Sequence, residues 1–389
     1  MAAWEKVLTR LAAAARPGLR QARRQVTRTL GIQPGDHHIV AYRGWGGAAG
    51  LFVQGRVLRG RPLPEADAAD PWWQNAWSAY RRIESDQVPG ARVRLSAGGT
   101  EQQAVSDQEG YFRAWLLPAA ALPADRRWHE VTVELVEPRP AGKPPPRTVA
   151  HVLTPAAAAR FGVISDIDDT VVRTDATSFL RMARLVVFGN ARTRIPFHGV
   201  SAFYRALHTG PPGGGPNPIF YVSSGPWNFY ELLVDFMEHQ DIPLGPILLR
   251  DWGWTGERSM PTRHRVHKLE AIRHILDSYP ALPFILIGDS GQEDPEIYQE
   301  IVSAYPDRIM AVYIRDVRGT GPRRTEIGAL REEVRRAGSD LVLARDTVAA
   351  ARHAAQAGWI DAAALPAIEA DTASDEVADR EETEEEPGG

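Results

Sequence analysis

The stretch Val163-Ile-Ser-Asp166-Ile-Asp168-Asp169-Thr170 decides how this chain is interpreted. An apolar run that begins at Phe161 leads directly into three acidic residues. Open α/β sheets bind ligands beyond the carboxyl ends of their strands, which is where these acids are expected to lie. Acids packed together at the end of a buried strand repel one another unless a cation neutralises them. The alternative is a turn whose acids only cap the backbone, and this motif alone leaves both interpretations open.

The chain around this motif alternates between short apolar runs and helical segments. The predicted strands lie at 161–164, 219–222, 247–249, 284–287, 309–314 and 341–343. The predicted helices include 227–239, 267–278 and 294–304. Alternation of strands with helices implies a parallel sheet that is covered on both faces. We therefore predict an α/β fold for this part of the chain.

Other polar groups follow two further predicted strands and begin one predicted helix. Ser223 and Ser224 follow one strand, Asp289 follows another with Asp294 five residues later, and Lys268 begins a helix. Phosphoryl transfer needs a carboxylate to attack phosphorus and a second one to move a proton. A hydroxyl and an ammonium group can hold phosphate oxygens, and Mg²⁺ can balance the charge. Together these signals favour phosphoryl transfer over a capped turn.

The order of these motifs resembles that of the haloacid dehalogenase superfamily of aspartate-nucleophile phosphatases. Three segments are similar, more narrowly, to the catalytic domain of actin-patch-protein-type phosphatidate phosphatases: Ser165–Thr170, Tyr221–Trp227 and Gly288–Pro295. The resemblance covers 161–318, which is less than half of the chain. It implies a Rossmann-like parallel sheet of the haloacid dehalogenase type, and Mg²⁺-dependent conversion of phosphatidate to diacylglycerol and phosphate.

The resemblance also implies a catalytic role for each motif residue. Asp166 corresponds to the nucleophile, Asp168 to the general acid–base, and Thr170 to the residue that supports their loop. Ser223 corresponds to the phosphate-binding hydroxyl, with Ser224 as the nearby alternative.

The remaining roles implied by the resemblance concern charge and metal. Lys268 corresponds to the cation that steadies the phosphorylated aspartate. The implied Mg²⁺ ligands are Asp166, the backbone carbonyl of Asp168, and Asp289, with support from Asp294. Water and phosphate would complete the shell, as is usual for Mg²⁺.

The pattern changes to short strands and turns from about residue 36 to 153. Ala91–Leu95 and Val131–Leu135 alternate between apolar and polar residues, as half-buried strands do. Strands at this spacing predict a small all-β sandwich over 36–153. The stretch 88–112 resembles the prealbumin-like sandwich. Five prolines between Pro138 and Pro146 predict a stiff connector, and a phosphatase catalytic domain is predicted over 154–362.

The two ends of the chain carry opposite charge. Residues 1–30 hold seven basic side chains and one acidic one, whereas residues 369–389 hold ten acidic side chains and one basic one. We predict a basic amphipathic helical segment over 1–35 and an acidic disordered tail over 363–389. The first segment is either a helix packed on its own domain or a peripheral helix on an anionic membrane surface.

Composition excludes several classes of protein. The 389 residues include no cysteine, which rules out disulfide scaffolds, cysteine-ligated metals and thiol catalysis. No apolar run reaches the ~18–20 residues of a membrane span, and the N-terminus does not resemble a secretory signal. We expect a cytoplasmic protein with peripheral contact to the inner face of a membrane. Nucleic-acid binding is disfavoured because the basic residues form a short segment and not a face.

The sequence is compatible with three functions. The first is hydrolysis of phosphatidate, a lipid headgroup substrate. The second is hydrolysis of a soluble phosphomonoester or a phosphoprotein by the same residues. The third is a non-catalytic membrane or scaffold protein, which the intact motif set argues against. The oligomeric state is not indicated by any pattern in the sequence.

Overall fold

The computed structural model describes residues 37–47, 49–60, 86–123, 125–139, 144–167, 199–250, 261–317 and 321–374. Within these residues the chain forms an eight-stranded sheet in its N-terminal part and a six-stranded sheet in its C-terminal part. The predicted helical segment at 1–35 and the predicted site residues Asp168 and Thr170 lie outside the described residues.

The N-terminal sheet is one mixed sheet that curls toward closure. Its strands are β1 (His37–Gly47), β2 (Gly50–Arg59), β3 (Asp86–Gln87), β4 (Arg92–Ala97), β5 (Thr100–Val105), β6 (Tyr111–Leu116), β7 (Trp128–Glu137) and β8 (Arg147–Leu153). The strand order is β3-β2-β1-β8-β7-β4-β5, and β6 pairs with β2 and contacts β5. β1 and β8 run parallel, while the other pairs are antiparallel. The predicted all-β sandwich of two separate sheets is not confirmed.

The proline-rich stretch joins two paired strands of this sheet. β7 and β8 pair antiparallel from Trp128 opposite Leu153 to Glu134 opposite Arg147. The stretch from Pro138 to Pro146 therefore connects two strands of one sheet, and its prediction as a connector between domains is wrong. Proline suits a connection between strands because it has no backbone N–H to donate to a neighbouring strand. The domain boundary between 153 and 154 stays a prediction.

The C-terminal sheet is entirely parallel and confirms the predicted α/β fold. Its strands are β9 (Gly162–Asp166), β10 (Ile219–Pro226), β11 (Ile247–Arg250), β12 (Phe284–Asp289), β13 (Ile309–Arg315) and β14 (Asp340–Ala344). The strand order is β11-β10-β9-β12-β13-β14. After β9, the chain adds β10 and β11 on one side of it and then β12, β13 and β14 on the other side. The crevice at the carboxyl ends of β9 and β12 is the switch point at which such sheets bind ligands.

Helices cover both faces of this sheet. They are α1 (Val200–Thr209), α2 (Tyr230–His239), α3 (Pro261–Ser278), α4 (Asp294–Ala304), α5 (Gly321–Arg336) and α6 (Thr347–Gln356). Helices α1, α2 and α6 pack in one apolar cluster, and α3, α4 and α5 pack in the other. Neighbouring residues of β9 alternate between the clusters, with Val163 in the first and Ile164 in the second. Among the described residues, no helix combines the length and apolar character that crossing a membrane would require.

Strand β1 packs the N-terminal sheet against both sides of the C-terminal one. Tyr42 stacks on Trp227 with ring centroids 4.2 Å apart, and the Trp45 indole N–H donates to Ser278 Oγ over 3.1 Å. Between them, the Arg43 backbone N–H donates to the Tyr230 hydroxyl over 2.7 Å. The two sheets therefore share buried apolar surface.

The beginning of the predicted acidic tail is ordered. Residues 365–374 are helical, and Ile368 is fully buried against the cluster that holds α1. Asp371 Oδ2 accepts a hydrogen bond of 3.0 Å from the Ala202 backbone N–H in the first turn of α1. The prediction of disorder is wrong for these residues, because apolar side chains and one capping carboxylate dock the segment. Residues 375–389 lie outside the described part of the chain.

Candidate active site

Asp166 is the last residue of β9 and lies at the switch point of the sheet. All five residues of this strand are buried, and the Asp166 side chain is fully shielded from solvent. Its Oδ1 atom lies 2.8 Å from the ammonium nitrogen of Lys268. A carboxylate buried this deeply is stable only when a cation accompanies it.

Lys268 reaches this carboxylate from α3, which covers one face of the sheet. It shares a helix face with Ile272 and Ile275, both fully buried, because side chains four and seven residues apart align. Its Nζ atom also lies 2.5 Å from Asp294 Oδ1. Burial acts to lower the pKa of Lys268, but the carboxylates of Asp166 and Asp294 outweigh it and raise that pKa well above its ordinary value. The ammonium group therefore stays charged.

Asp289 ends β12, the strand beside β9. Its Oδ1 atom accepts hydrogen bonds from the backbone N–H groups of Gly291 at 2.5 Å and Gln292 at 3.0 Å. Its own backbone N–H donates to Asp294 Oδ2 over 3.1 Å. A Cβ on Gly288 would lie 2.3 Å from Asp294 Oδ2, so the glycine at this position makes room for the second carboxylate. The GDSGQED segment thus folds into a loop that orients both acids.

The acidic side chains of this cluster fit a divalent cation. Asp166, Asp289 and Asp294 are all buried, and one carboxylate oxygen of each lies within 4.8 Å of the others. Oxygens on opposite sides of Mg²⁺ are about 4.2 Å apart, from a metal–oxygen distance of about 2.1 Å. With Lys268, the cluster carries three formal negative charges and one positive charge, an excess of two that one Mg²⁺ would neutralise. Oxygen ligands are also the type that Mg²⁺ prefers.

Ser223 lies on β10, the strand that pairs with β9. Val222 pairs with Asp166, so Ser223 stands one residue beyond the carboxylate toward the same edge of the sheet. Its hydroxyl is buried and accepts a 2.9 Å hydrogen bond from the Gly225 backbone N–H, which fixes its position. Ser224, the alternative residue, is only half-buried. The burial and fixed hydroxyl favour Ser223 as the phosphate-binding residue.

Two residues near the cluster were not among the predicted site residues. Tyr204 on α1 shares a 2.6 Å hydrogen bond with Ser165 Oγ, which in turn donates to the backbone carbonyl of Asp166 over 2.7 Å. His267 bonds to the backbone of Ser223, and burial, followed by the charge of Arg250, lowers the pKa of His267 to about 4. A tyrosine and a histidine within helices look like ordinary packing residues in the sequence, and only their neighbours in space distinguish them.

The structure therefore brings four of the predicted site residues into direct contact: Asp166, Lys268, Asp289 and Asp294. Ser223 lies at the same sheet edge. The predicted roles of all these residues, and the Mg²⁺ itself, stay predictions.

Fold and site together define a doubly wound α/β protein with a buried carboxylate–lysine cluster at its switch point. Residues 161–316 match the family described as "Phosphatidate phosphatase APP1, catalytic domain". This match confirms the narrower resemblance, to the phosphatidate phosphatase catalytic domain, and the matched residues contain the whole cluster.

Two curated relatives each match 40% of the chain. Phosphatidate phosphatase APP1 of Saccharomyces cerevisiae is 34% identical over 156 residues, which cover 40% of this chain and 26% of that protein. An uncharacterized protein of Schizosaccharomyces pombe is 30% identical over 161 residues, covering 40% of this chain and 25% of that protein. The chain thus spans about a quarter of the length of these relatives.

Similarity to solved structures is low. A carbohydrate acetylesterase from Xanthomonas citri is 11% identical, with a TM-score of 0.24 over 69% of this chain and 65% of that one. A score of this size carries no argument about fold or function.

Proposed function

We propose that this chain is a Mg²⁺-dependent phosphoric monoester hydrolase that converts phosphatidate to diacylglycerol and phosphate. The observation that carries the proposal is the buried cluster of Asp166, Lys268, Asp289 and Asp294 at the switch point, within the residues that match the family. The strand order and the carboxylates at the ends of β9 and β12 support a catalytic domain of the haloacid dehalogenase type. The similarity to the yeast phosphatidate phosphatase supports the choice of substrate.

The proposed reaction has two steps, both centred on Asp166. In the first, an Asp166 oxygen bonds to phosphorus while the bond from phosphorus to the lipid oxygen breaks, and Asp168 gives that oxygen a proton. In the second, a water oxygen bonds to phosphorus, the bond to Asp166 breaks, and Asp168 takes a proton from the water. An aspartyl-phosphate on Asp166 links the two steps.

The other residues of the cluster manage charge and position. Lys268, held in its charged form beside Asp166, offsets the negative charge that the phosphoryl group brings. Ser223 would hold a phosphate oxygen with its hydroxyl hydrogen. Asp166, Asp289 and the backbone carbonyl of Asp168 would hold Mg²⁺, which would polarise the phosphoryl group. Asp294 links Lys268 to the backbone of Asp289 and thereby fixes the position of the Lys268 ammonium group relative to the proposed metal ligand Asp289.

The activity test uses the full chain and two substrates. We expect phosphate release from phosphatidate in mixed micelles with Mg²⁺, and loss of this activity on adding EDTA or in Asp166→Asn. The matched control is Asp277→Asn, an exposed aspartate near the end of α3, which should keep the activity. Full activity in EDTA, or in Asp166→Asn, would contradict the mechanism. Hydrolysis of p-nitrophenyl phosphate without hydrolysis of phosphatidate would contradict the lipid substrate and favour a soluble one.

Access to a lipid headgroup requires contact with a membrane, and we propose residues 1–35 for this contact. Each basic side chain near an anionic surface contributes up to ~1 kcal/mol. We expect weak, salt-sensitive co-sedimentation with phosphatidate vesicles that decreases when residues 1–30 are deleted. We also propose a cytoplasmic location, peripheral to the inner face of the membrane. Equal binding by the deleted and full-length chains would leave the segment as a structural element.

A further inference from the structure

Arg323 lies in the first turn of α5, beyond the residues that match the family, yet it contacts the loop that holds Asp289. Its Nε atom donates to the Ser290 carbonyl over 3.1 Å, and its Nη2 atom donates to the Gln292 carbonyl over 2.9 Å. Asp289 itself is not touched by these bonds. Any influence of Arg323 on the cluster therefore passes through the loop backbone.

One peptide group connects Arg323 to the Asp289 carboxylate. The Ser290 carbonyl and the Gly291 N–H belong to the same peptide, and this N–H donates to Asp289 Oδ1 over 2.5 Å. A cation bonded to the carbonyl end of a peptide polarises it and strengthens the N–H at the other end. Arg323 thus both fixes the loop and strengthens the hydrogen bond that orients Asp289.

The same guanidinium group also holds the start of α4. Its Nη1 and Nη2 atoms lie 2.5 and 3.0 Å from the two carboxylate oxygens of Glu296, in the first turn of the helix that begins at Asp294. Burial acts to raise the pKa of Glu296, but the hydrogen bonds and charge of Arg323, together with a backbone hydrogen bond and the charge of Arg265, outweigh it and lower that pKa. Glu296 is therefore ionised at neutral pH, and the pair is a charged, two-pronged contact.

We propose that Arg323 is a positioning residue for the Mg²⁺ site. It fixes Asp289 through the Ser290–Gln292 loop and fixes Asp294 through Glu296, so that both carboxylates keep the spacing a metal needs. The inference rests on the proposed function only in that the cluster binds a divalent cation. Lysine cannot replace arginine here, because the contacts use three nitrogens of a planar fork and an ammonium group offers a single point.

The metal affinity of the full chain tests this proposal without substrate. Mn²⁺ is the probe, titrated and followed by electron paramagnetic resonance of the free ion. We expect Arg323→Met and Arg323→Lys to weaken Mn²⁺ binding about 10–100-fold, the range found for residues that support metal ligands. Glu296→Gln, which removes one half of the contact, should weaken it less. The matched control is Arg335→Met on the same helix, whose exposed ion pair with Glu332 is remote from the loop and whose loss should change nothing.

Activity measurements then separate positioning from collapse of the fold. The variants should need more Mg²⁺ for half-maximal rate, and saturating Mg²⁺ should restore kcat to within a few-fold of the wild type. Unchanged Mn²⁺ affinity in Arg323→Lys and Glu296→Gln, or a kcat loss that metal does not restore, would overturn the proposal. Wild-type Mn²⁺ binding without phosphatidate hydrolysis would refute the proposed function and leave the role of Arg323 standing. No Mn²⁺ binding by the wild type would overturn both.

Discussion

Replacing Lys268 by methionine removes the cation of the cluster while nearly preserving side-chain volume. The lysine is 3% exposed, and each of its two carboxylate partners, Asp166 and Asp294, is 0% exposed. At an effective dielectric constant of about 20, a pair of unit charges at these distances attracts by about 6 kcal/mol before desolvation is subtracted. Removing one partner of a buried ion pair costs about 3–5 kcal/mol in practice, because the remaining charge is left buried. We expect Lys268→Met to lower the free energy of unfolding by this amount.

A control variant on the same helix and a double variant test whether the buried charge causes this loss of stability. Arg273 pairs with Glu300 at 2.8 Å but is 43% exposed, so Arg273→Met should cost at most about 1 kcal/mol. Adding Asp294→Asn to Lys268→Met should cost less than the sum of the two single changes, by about 1–3 kcal/mol, because it removes a stranded carboxylate. The assay is urea unfolding followed by tryptophan fluorescence and by circular dichroism. A loss for Lys268→Met no greater than that for Arg273→Met would refute the reasoning.

Three further changes have expected outcomes. Gly288→Ala places a Cβ 2.3 Å from Asp294 Oδ2, so it should lower the free energy of unfolding by about 1–3 kcal/mol and reduce Mg²⁺-dependent activity. The control, Gly328→Ala, lies in open space on α5 and should be neutral or stabilising in urea unfolding. Asp371→Ala removes the carboxylate that caps α1 and should cost about 1 kcal/mol in thermal unfolding; an unchanged melting temperature would show that the C-terminal helix does not support α1. The pKa of His267 is about 4 in the folded chain, below its ordinary 6.5, so the unfolded chain binds a proton that the folded one does not. The free energy of unfolding should therefore fall by about 3 kcal/mol as the pH drops from 6.5 to 4. His267→Gln should lose part of this dependence, and identical pH profiles for the two proteins would contradict it.

The C-terminal sheet was predictable because its strands are buried on both faces. Such strands appear as continuous apolar runs, and both β9 and β12 end in acids where the run stops. The order of these motifs along the chain, which resembles that of a known superfamily, also predicted that Asp166, Lys268 and Asp289 share one site. What the pattern did not show is that Lys268 holds two carboxylates at once, since that contact joins residues far apart in sequence.

Pairing between distant strands was the part that sequence patterns could not supply. Alternation in Val131–Leu135 shows which side chains face a core, but not that β7 pairs with β8 across the prolines or that β8 lies parallel to β1. In the C-terminal segment, a single buried Ile368 among acidic residues is too weak a signal to predict docking. Arg323 likewise looks like one more charge on an exposed helix, because its partners in the loop that holds Asp289 are backbone carbonyls, which no residue pattern reveals.

The central claim is that Asp166 carries the phosphoryl group between the two steps of the reaction. The most direct measurement quenches the full chain with acid during turnover of phosphatidate and locates the phosphoryl group by mass spectrometry, with borohydride reduction of a parallel sample. We predict one phosphoryl group on the peptide that contains Asp166, conversion of that residue to homoserine by borohydride, and neither signal in Asp166→Asn. A phosphoryl group on another residue, or steady product release while the Asp166 peptide stays unmodified at every quench time, would contradict the account.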